Sequence, residues 1–505
     1  MIEAKMSATS SSSLSARQQA GRLIMVRLAG TALDDASRAF LHESGVRAVC
    51  LFRNNMVDAD QLGRFNADLR AVMGERTLIA LDQEGGAVVR ATWVPAPPSA
   101  MALGAADDLE LARRTGAAVG RAVKALGFNW NFAPVLDLNN NPDNPIIAER
   151  SFGADPVRAT ALALAWMDGS DSAGVACCVK HFPGHGDTSV DSHRDLPTVA
   201  KSVAELARFE LAPFRQAAAS APAMMTAHIV YPALDTELPA TLSPKIIDGL
   251  LRQQFGYQGV VITDSMDMHA IAHRYGVGAA AVAALVAGAD MVMALGPLAA
   301  QQETIAAIAA AIDDGTLGAD AIAAKLARLD ALAAAYPCAP RAYLEDDADR
   351  LLMGQAWQRA LTARGAVPRL PPGSRLRLVM RQDRVSDGVS EAGVSATQLH
   401  ASLGQCYDVA LHTFADAETF DWASLPTDGR LTVLASTARL RYGPHARAGF
   451  KPDLHLALWN PYQALDIDAP ALITYGFAAP ALAAVNAYLT GAIDAAGQVP
   501  VPGFA

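Results

Sequence analysis

The chain has 505 residues, 51% of them hydrophobic and 18% charged, with a formal net charge of -10. That composition supports a large buried core and more than one domain, while the acidic balance, with no basic run carrying interleaved aromatics, argues against nucleic acid and anionic membranes as partners. Its five cysteines, two adjacent at Cys177 and Cys178 and three scattered, form neither a disulfide framework nor a CxxC metal knuckle, which fits a reducing compartment.

Residues 1–18 (MIEAKMSATSSSSLSARQ) read as a disordered Ser-rich tail. They lack the apolar stretch of a secretory signal, so a cytoplasmic location is expected. From there, short apolar runs recur: LIMVRLAG (23–30), VRAVCLF (46–52), TLIALD (77–82), NWNFAPVLD (129–137), GVACCVKHF (174–182), APAMMTAHI (221–229), GVVITDSM (259–266) and GADMVMAL (288–295). Between them lie segments with helical spacing, such as 58–74, 107–127 and 201–220. Near-continuously apolar strands alternating with helices predict a parallel (β/α)8, TIM-like barrel over residues 19–336. The apolar stretch 276–300 is broken by Asp290 and several glycines, and it reads as helix plus buried strand rather than a membrane span.

Residues 337–345 read as a linker. Residues 346–505 predict a smaller α/β sandwich domain: a helix near 346–363, then candidate strands RLRLVM (375–380), YDVALHTF (407–414), RLTVLAST (430–437), DLHLALWN (453–460) and ALITYG (471–476).

In such a barrel, function gathers at the C-terminal ends of the strands. Asp82 closes the third run, Lys180 and His181 the fifth, His228 the sixth and Asp264 the seventh, so one mouth is expected to collect them all. The fifth run is followed by a long polar loop within KHFPGHGDTSVDSH (180–193), read as a mobile lid. His181, His185, Asp187, Asp191 and His193 are numerous enough to hold a metal, but their spacing matches no usual signature, and no metal or other cofactor is expected. A phosphate loop is disfavoured because PGHGDTS lacks the GK[ST] ending. The acid/base reading rests on Asp191 and His193, one residue apart and on one face of an extended backbone, where the carboxylate can orient and support the imidazole.

The loop motif, together with LDQEGGAVVR (81–90), NFAPVLDLN (131–139), IIAERSFGADP (146–156), AHIVYPALDTELPATLS (227–243) and GYQGVVITDSMDM (256–268), resembles glycoside hydrolase family 3, in particular its bacterial β-N-acetylglucosaminidases of peptidoglycan recycling. The resemblance is dense over about 20–340, and ITYGFAAPALAAVNAYLTG and GQVPVPG look like the end of that family's second domain. It implies a retaining double displacement with Asp264 as nucleophile, His193 as acid/base and Asp191 as the partner of His193. It also implies that Asp82, Arg90, Arg150, Lys180 and His181 grip the hydroxyls and acetamido group of the sugar. The implied partner is a small-molecule or oligosaccharide substrate containing N-acetylglucosamine, and the protein is expected to act as a monomer.

Asp267 is expected in the first turn of the next helix, where an acidic group is favourable without a catalytic role. His185 reads as support for the loop. Two positions depart from the family pattern: Ala87 replaces an arginine, a change expected to bear on specificity beyond the sugar subsite, and Ala148 replaces a glycine. Alternatives are a β-N-acetylglucosaminide phosphorylase, since a histidine dyad does not repel phosphate, another family 3 β-glycosidase, and a noncatalytic sugar-binding protein. The last would be expected to lose Asp264 or His193, and this chain keeps both.

Overall fold

The computed structural model describes residues 14–188, 196–338, 346–382, 389–390 and 393–504. Its first helix, Ala16–Arg22, takes in the end of the stretch read as tail, because Ser15 and Gln18 form a reciprocal capping box there. The strands that follow are β1 (Ile24–Arg27), β2 (Ala48–Cys50), β3 (Leu78–Leu81), β4 (Gln83–Gly85), β5 (Val88–Val89), β6 (Trp130–Asn131), β7 (Ala176–Phe182), β8 (Ala223–Thr226), β9 (Val260–Ser265) and β10 (Met291–Ala294). Among the described residues, β4 and β5 pair as a small antiparallel hairpin, and the other eight close a parallel barrel in the order β1-β10-β9-β8-β7-β6-β3-β2.

Each apolar run thus supplies one barrel strand. Every residue of β3, β7, β8 and β10 is buried, because side chains on one face fill the barrel and those on the other meet the surrounding helices. Within 201–220 the helix is interrupted, giving Val203–Arg208 and Leu211–Ala217. Pro213 has no N–H to offer the Phe209 carbonyl, and its ring crowds that turn. The apolar stretch read as helix plus strand resolves into the helix Val277–Ala287 and β10. Between them Asp290 is fully buried, where it pairs with Arg252 and Arg328 and accepts from the Val261 N–H. Among the described residues no single helix is long and apolar enough to cross a membrane.

The second unit opens with the helix Asp347–Ala360 and contains β11 (Thr362–Arg364), β12 (Arg375–Arg381), β13 (Asp408–Phe414), β14 (Leu431–Ser436), β15 (Leu454–Ala457) and β16 (Ala471–Ile473). All five expected strands form one sheet, ordered β11-β16-β15-β14-β12-β13. It is parallel except at β11, an antiparallel edge too short for its alternation to show in the sequence. Most of the expected linker, residues 339–345, lies outside the described residues.

Contacts between the two units are extensive. The Trp357 indole donates to the Ala96 carbonyl at 3.0 Å, the Ser99 hydroxyl to the Tyr475 carbonyl at 2.7 Å, and the Gln498 and Ala154 amides to the carbonyls of Ala105 and Pro500 at 3.0 Å each. The β4–β5 hairpin is part of this contact. Its turn needs Gly85 and Gly86, at φ +116° and +59°: a Cβ on Gly85 would sit 2.1 Å from the Pro98 carbonyl oxygen. Ala87 at the tip packs into the apolar core of the second unit with Leu472 and Phe477. Its small side chain therefore serves the domain contact, and Ala87 does not line the barrel-mouth cavity.

Candidate active site

At the C-terminal mouth of the barrel lies a cavity of 460 Å³, inside the range of roughly 300–1,000 Å³ usual for small-molecule sites. Asp82, Arg90, Arg150, Lys180, His181 and Asp264 all line it. Asp191 and His193 lie outside the described residues. His228 does not line the cavity. Its ring is buried and bridges the Ser265 carbonyl and the Thr241 hydroxyl, at 2.9 Å each, so it holds the end of β9 from behind.

Asp264 is the fifth residue of β9, and one of its carboxylate oxygens accepts from the Ser265 N–H at 2.7 Å. Asp267 also lines the cavity. It precedes the following helix, which begins only at His269, instead of occupying that helix's first turn. Its carboxylate accepts from the Gly296 N–H at 2.6 Å and so ties the turn after β9 to the turn after β10. Burial pushes its carboxyl above the ordinary value despite this hydrogen bond.

Another part of the lining is a chain of five charges. Arg90 reaches Asp82 at 3.1 Å, Asp82 reaches Lys180 at 2.7 Å, Lys180 reaches Glu84 at 2.6 Å, and Arg150 grips Glu84 through two N–H donors at 2.8 Å each. All five side chains are nearly buried, and Asp82 is the most exposed at 15%. Burial alone would raise the carboxyls of Asp82 and Glu84, but the adjacent cations outweigh it and hold both below their ordinary values. Lys180 shows the converse: burial lowers it, and the two carboxylates more than offset this, so it is raised. The wall therefore stays fully ionised at neutral pH and offers fixed donors and acceptors to a polyhydroxy ligand.

Glu84 was not singled out from the sequence. A signal existed, because it lies two residues beyond Asp82 in an extended segment and shares its side. Asp137, at the end of the fourth run, was likewise passed over. It accepts from the backbone N–H groups of His181 and His185 at 3.1 and 2.7 Å, and its other oxygen meets His181 Nδ1 at 2.6 Å. A carboxylate there favours a proton on Nδ1 and fixes the orientation of the ring. Burial would raise the Asp137 carboxyl, but the two histidines bring it below the ordinary value.

His185 does more than brace its loop, since it is part of the cavity lining. Burial first, and His181 second, lower its pKa to about 4, so it is neutral near pH 7. Its Nδ1 lies 2.8 Å from the Thr188 hydroxyl, while Asp187 pairs with Lys201 at 2.7 Å. His181, His185 and Asp187 thus turn to three separate partners, and among the described residues no group of His, Cys, Asp and Glu is arranged to hold a metal ion. Both feet of the loop are anchored: Asn144 donates to the His185 and Gly186 carbonyls, and Val199 pairs with Val230.

Arg150 is carried by a one-turn helix, Ala148–Arg150, in which Ala148 has φ +38° and is buried. An alanine there sits in left-handed space that glycine enters freely. The substitution Ala148→Gly is expected to leave stability to denaturant unchanged or raised, where the same change at an ordinary helical position lowers it by about 1 kcal/mol. A drop of that ordinary size would show that this backbone strain is absent.

Residues 15–332 match the profile of the glycosyl hydrolase family 3 N terminal domain. The structure is similar to that of a glycoside hydrolase family 3 β-N-acetylglucosaminidase from Paenibacillus sp. str. FPU-7, with a TM-score of 0.87 and 33% identity over 97% of this chain and 99% of that one. In sequence the chain is 38% identical to a β-hexosaminidase of Thiobacillus denitrificans, over 54% of this chain and 77% of that protein. It is 34% identical to β-hexosaminidase A of Pseudoalteromonas piscicida, over 62% of this chain and 57% of that protein, so it spans little more than half the length of this relative.

Proposed function

Because the chain belongs to glycosyl hydrolase family 3, we propose that it is a retaining exo-β-N-acetylglucosaminidase that removes terminal N-acetylglucosamine from peptidoglycan fragments or related β-glycosides. The observation that carries this reading is that Asp264 and the Asp82–Lys180 pair line one cavity. One group can attack carbon while the others hold hydroxyls. In the proposed reaction Asp264 displaces the aglycone from C1 and forms a glycosyl ester, while His193, supported by Asp191, protonates the departing oxygen. His193 then takes a proton from water as the ester is hydrolysed. Asp82, Lys180, Arg90, Arg150 and His181 orient the sugar.

His181 with Asp137 is a second His–Asp pair at the cavity, and its 2.6 Å contact makes it a rival for the acid/base role. Leaving groups separate the two. His193→Ala is expected to slow a poor alkyl leaving group far more than an activated phenol, whereas His181→Ala is expected to slow both alike, as loss of a binding group would. The reverse pattern would move the acid/base role to His181.

The reaction itself is tested by product analysis on a chromogenic β-N-acetylglucosaminide, with and without phosphate. Free N-acetylglucosamine in both is the expected result. A sugar 1-phosphate would make the protein a phosphorylase, and no release from folded protein would overturn the reading.

A further inference from the structure

We infer that the second unit positions the sugar-binding wall of the barrel, with Arg439 as the positioning residue. The five-charge wall ends in Arg90 on one side and Arg150 on the other, and the second unit holds both ends. At the first, Arg90 donates its remaining terminal nitrogen to the Val389 carbonyl at 2.9 Å. At the second, Glu149 and Arg150 are consecutive residues of a single turn and their side chains serve different partners. Arg150 grips Glu84 inside the barrel, whereas Glu149 takes two hydrogen bonds from Arg439, at 2.9 and 3.2 Å.

The Arg439–Glu149 pair is almost completely buried, with side-chain exposures of 2% and 1%. Arg439 is itself braced: it donates to the Ser390 hydroxyl at 2.9 Å, its guanidinium lies 5.2 Å from the Trp459 ring centre, and its carbonyl accepts from the Asn460 side chain at 2.6 Å. Val389 and Ser390, adjacent in sequence, thus touch both grips. A buried ion pair adds little net stability over an apolar pair of similar volume, because desolvation offsets much of the attraction. What it does add is direction, since two fixed donors on two fixed acceptors locate the turn. Any displacement of Glu149 carries Arg150 with it, and through Glu84 it disturbs Lys180.

This inference rests on the proposed sugar-binding role of the wall. Its test uses the full chain, turnover of the chromogenic β-N-acetylglucosaminide, and thermal melting of the same samples. Arg439→Gln is expected to lower kcat/KM at least tenfold, with partial recovery in Arg439→Lys. Combining Arg439→Gln with Arg150→Lys should give a loss smaller than the product of the two single losses, because both act on the same side chain. The apolar pair Glu149→Leu with Arg439→Met removes both buried charges, so it should restore melting towards wild type while kcat/KM stays low. Recovery of kcat/KM together with melting, or losses for Arg439→Gln and Arg150→Lys that multiply, would overturn the positioning role. Absence of turnover in the wild type would instead overturn the functional reading, and this inference with it.

Discussion

Asp264→Asn is expected to reduce kcat on the chromogenic β-N-acetylglucosaminide by at least about ten-thousand-fold while the protein melts as the wild type does. The amide has nearly the shape of the carboxylate, and its oxygen can still accept from the Ser265 N–H, so the end of β9 keeps its local contact. What it loses is nucleophilicity, because an amide oxygen does not form the glycosyl ester on which the second half-reaction depends. The informative control is Asp267→Asn, since Asp267 shares the cavity. Its carboxylate is engaged with the Gly296 N–H, and burial raises it towards the neutral form, which suits it poorly for attack on carbon. Substantial turnover in Asp264→Asn, with none in Asp267→Asn, would exchange the two assignments.

Glu84→Gln is expected to destabilise the chain by roughly 3 kcal/mol, since removing one partner of a buried ionic network leaves other charges uncompensated. Glu84 is the acceptor shared by Lys180 and Arg150. Without its charge, Lys180 keeps Asp82 at 2.7 Å, but Arg150 loses its ionic partner and keeps the Ile146 carbonyl at 3.3 Å. Denaturant titration across pH gives this effect a signature. Because Glu84 in the fold lies below its ordinary value of 4.5, its contribution is complete above that value and is lost as pH falls through the folded value. The gap between wild type and variant should therefore be flat above about pH 5 and narrow only in stronger acid. A gap that widens on acidification would show that Glu84 is not held as an ion.

Much of the barrel could be read directly from the chain. Its strands are largely buried on both faces and so appear as near-continuous apolar runs, and β7, ACCVKHF, is apolar up to the Lys180 and His181 that close it. The β4–β5 hairpin and β11 were missed because two or three residues carry no legible alternation. Strand-end reasoning brought Asp82, Lys180, His181 and Asp264 to one cavity, yet it also selected His228, whose side chain turns to Thr241 and the Ser265 carbonyl instead. The same reasoning applied evenly would have found Asp137. Arg439 was beyond it: the partner of Glu149 lies 290 residues away, on a stretch with no motif of its own.

That distance along the chain sets an order of events during synthesis. The eight barrel strands are complete by Ala294, so the barrel can close while its later partner is still being made. The cavity wall waits longer, because Arg90 must meet Val389 and Glu149 must meet Arg439. The stretch just beyond Arg150 waits longest: Ala154 hydrogen-bonds the Pro500 carbonyl, and a Cβ on Gly153 would lie 2.8 Å from that oxygen. The chain order therefore lets the barrel close before its pocket has all its supports, so the supports of the cavity wall are the last parts of the site to be synthesised.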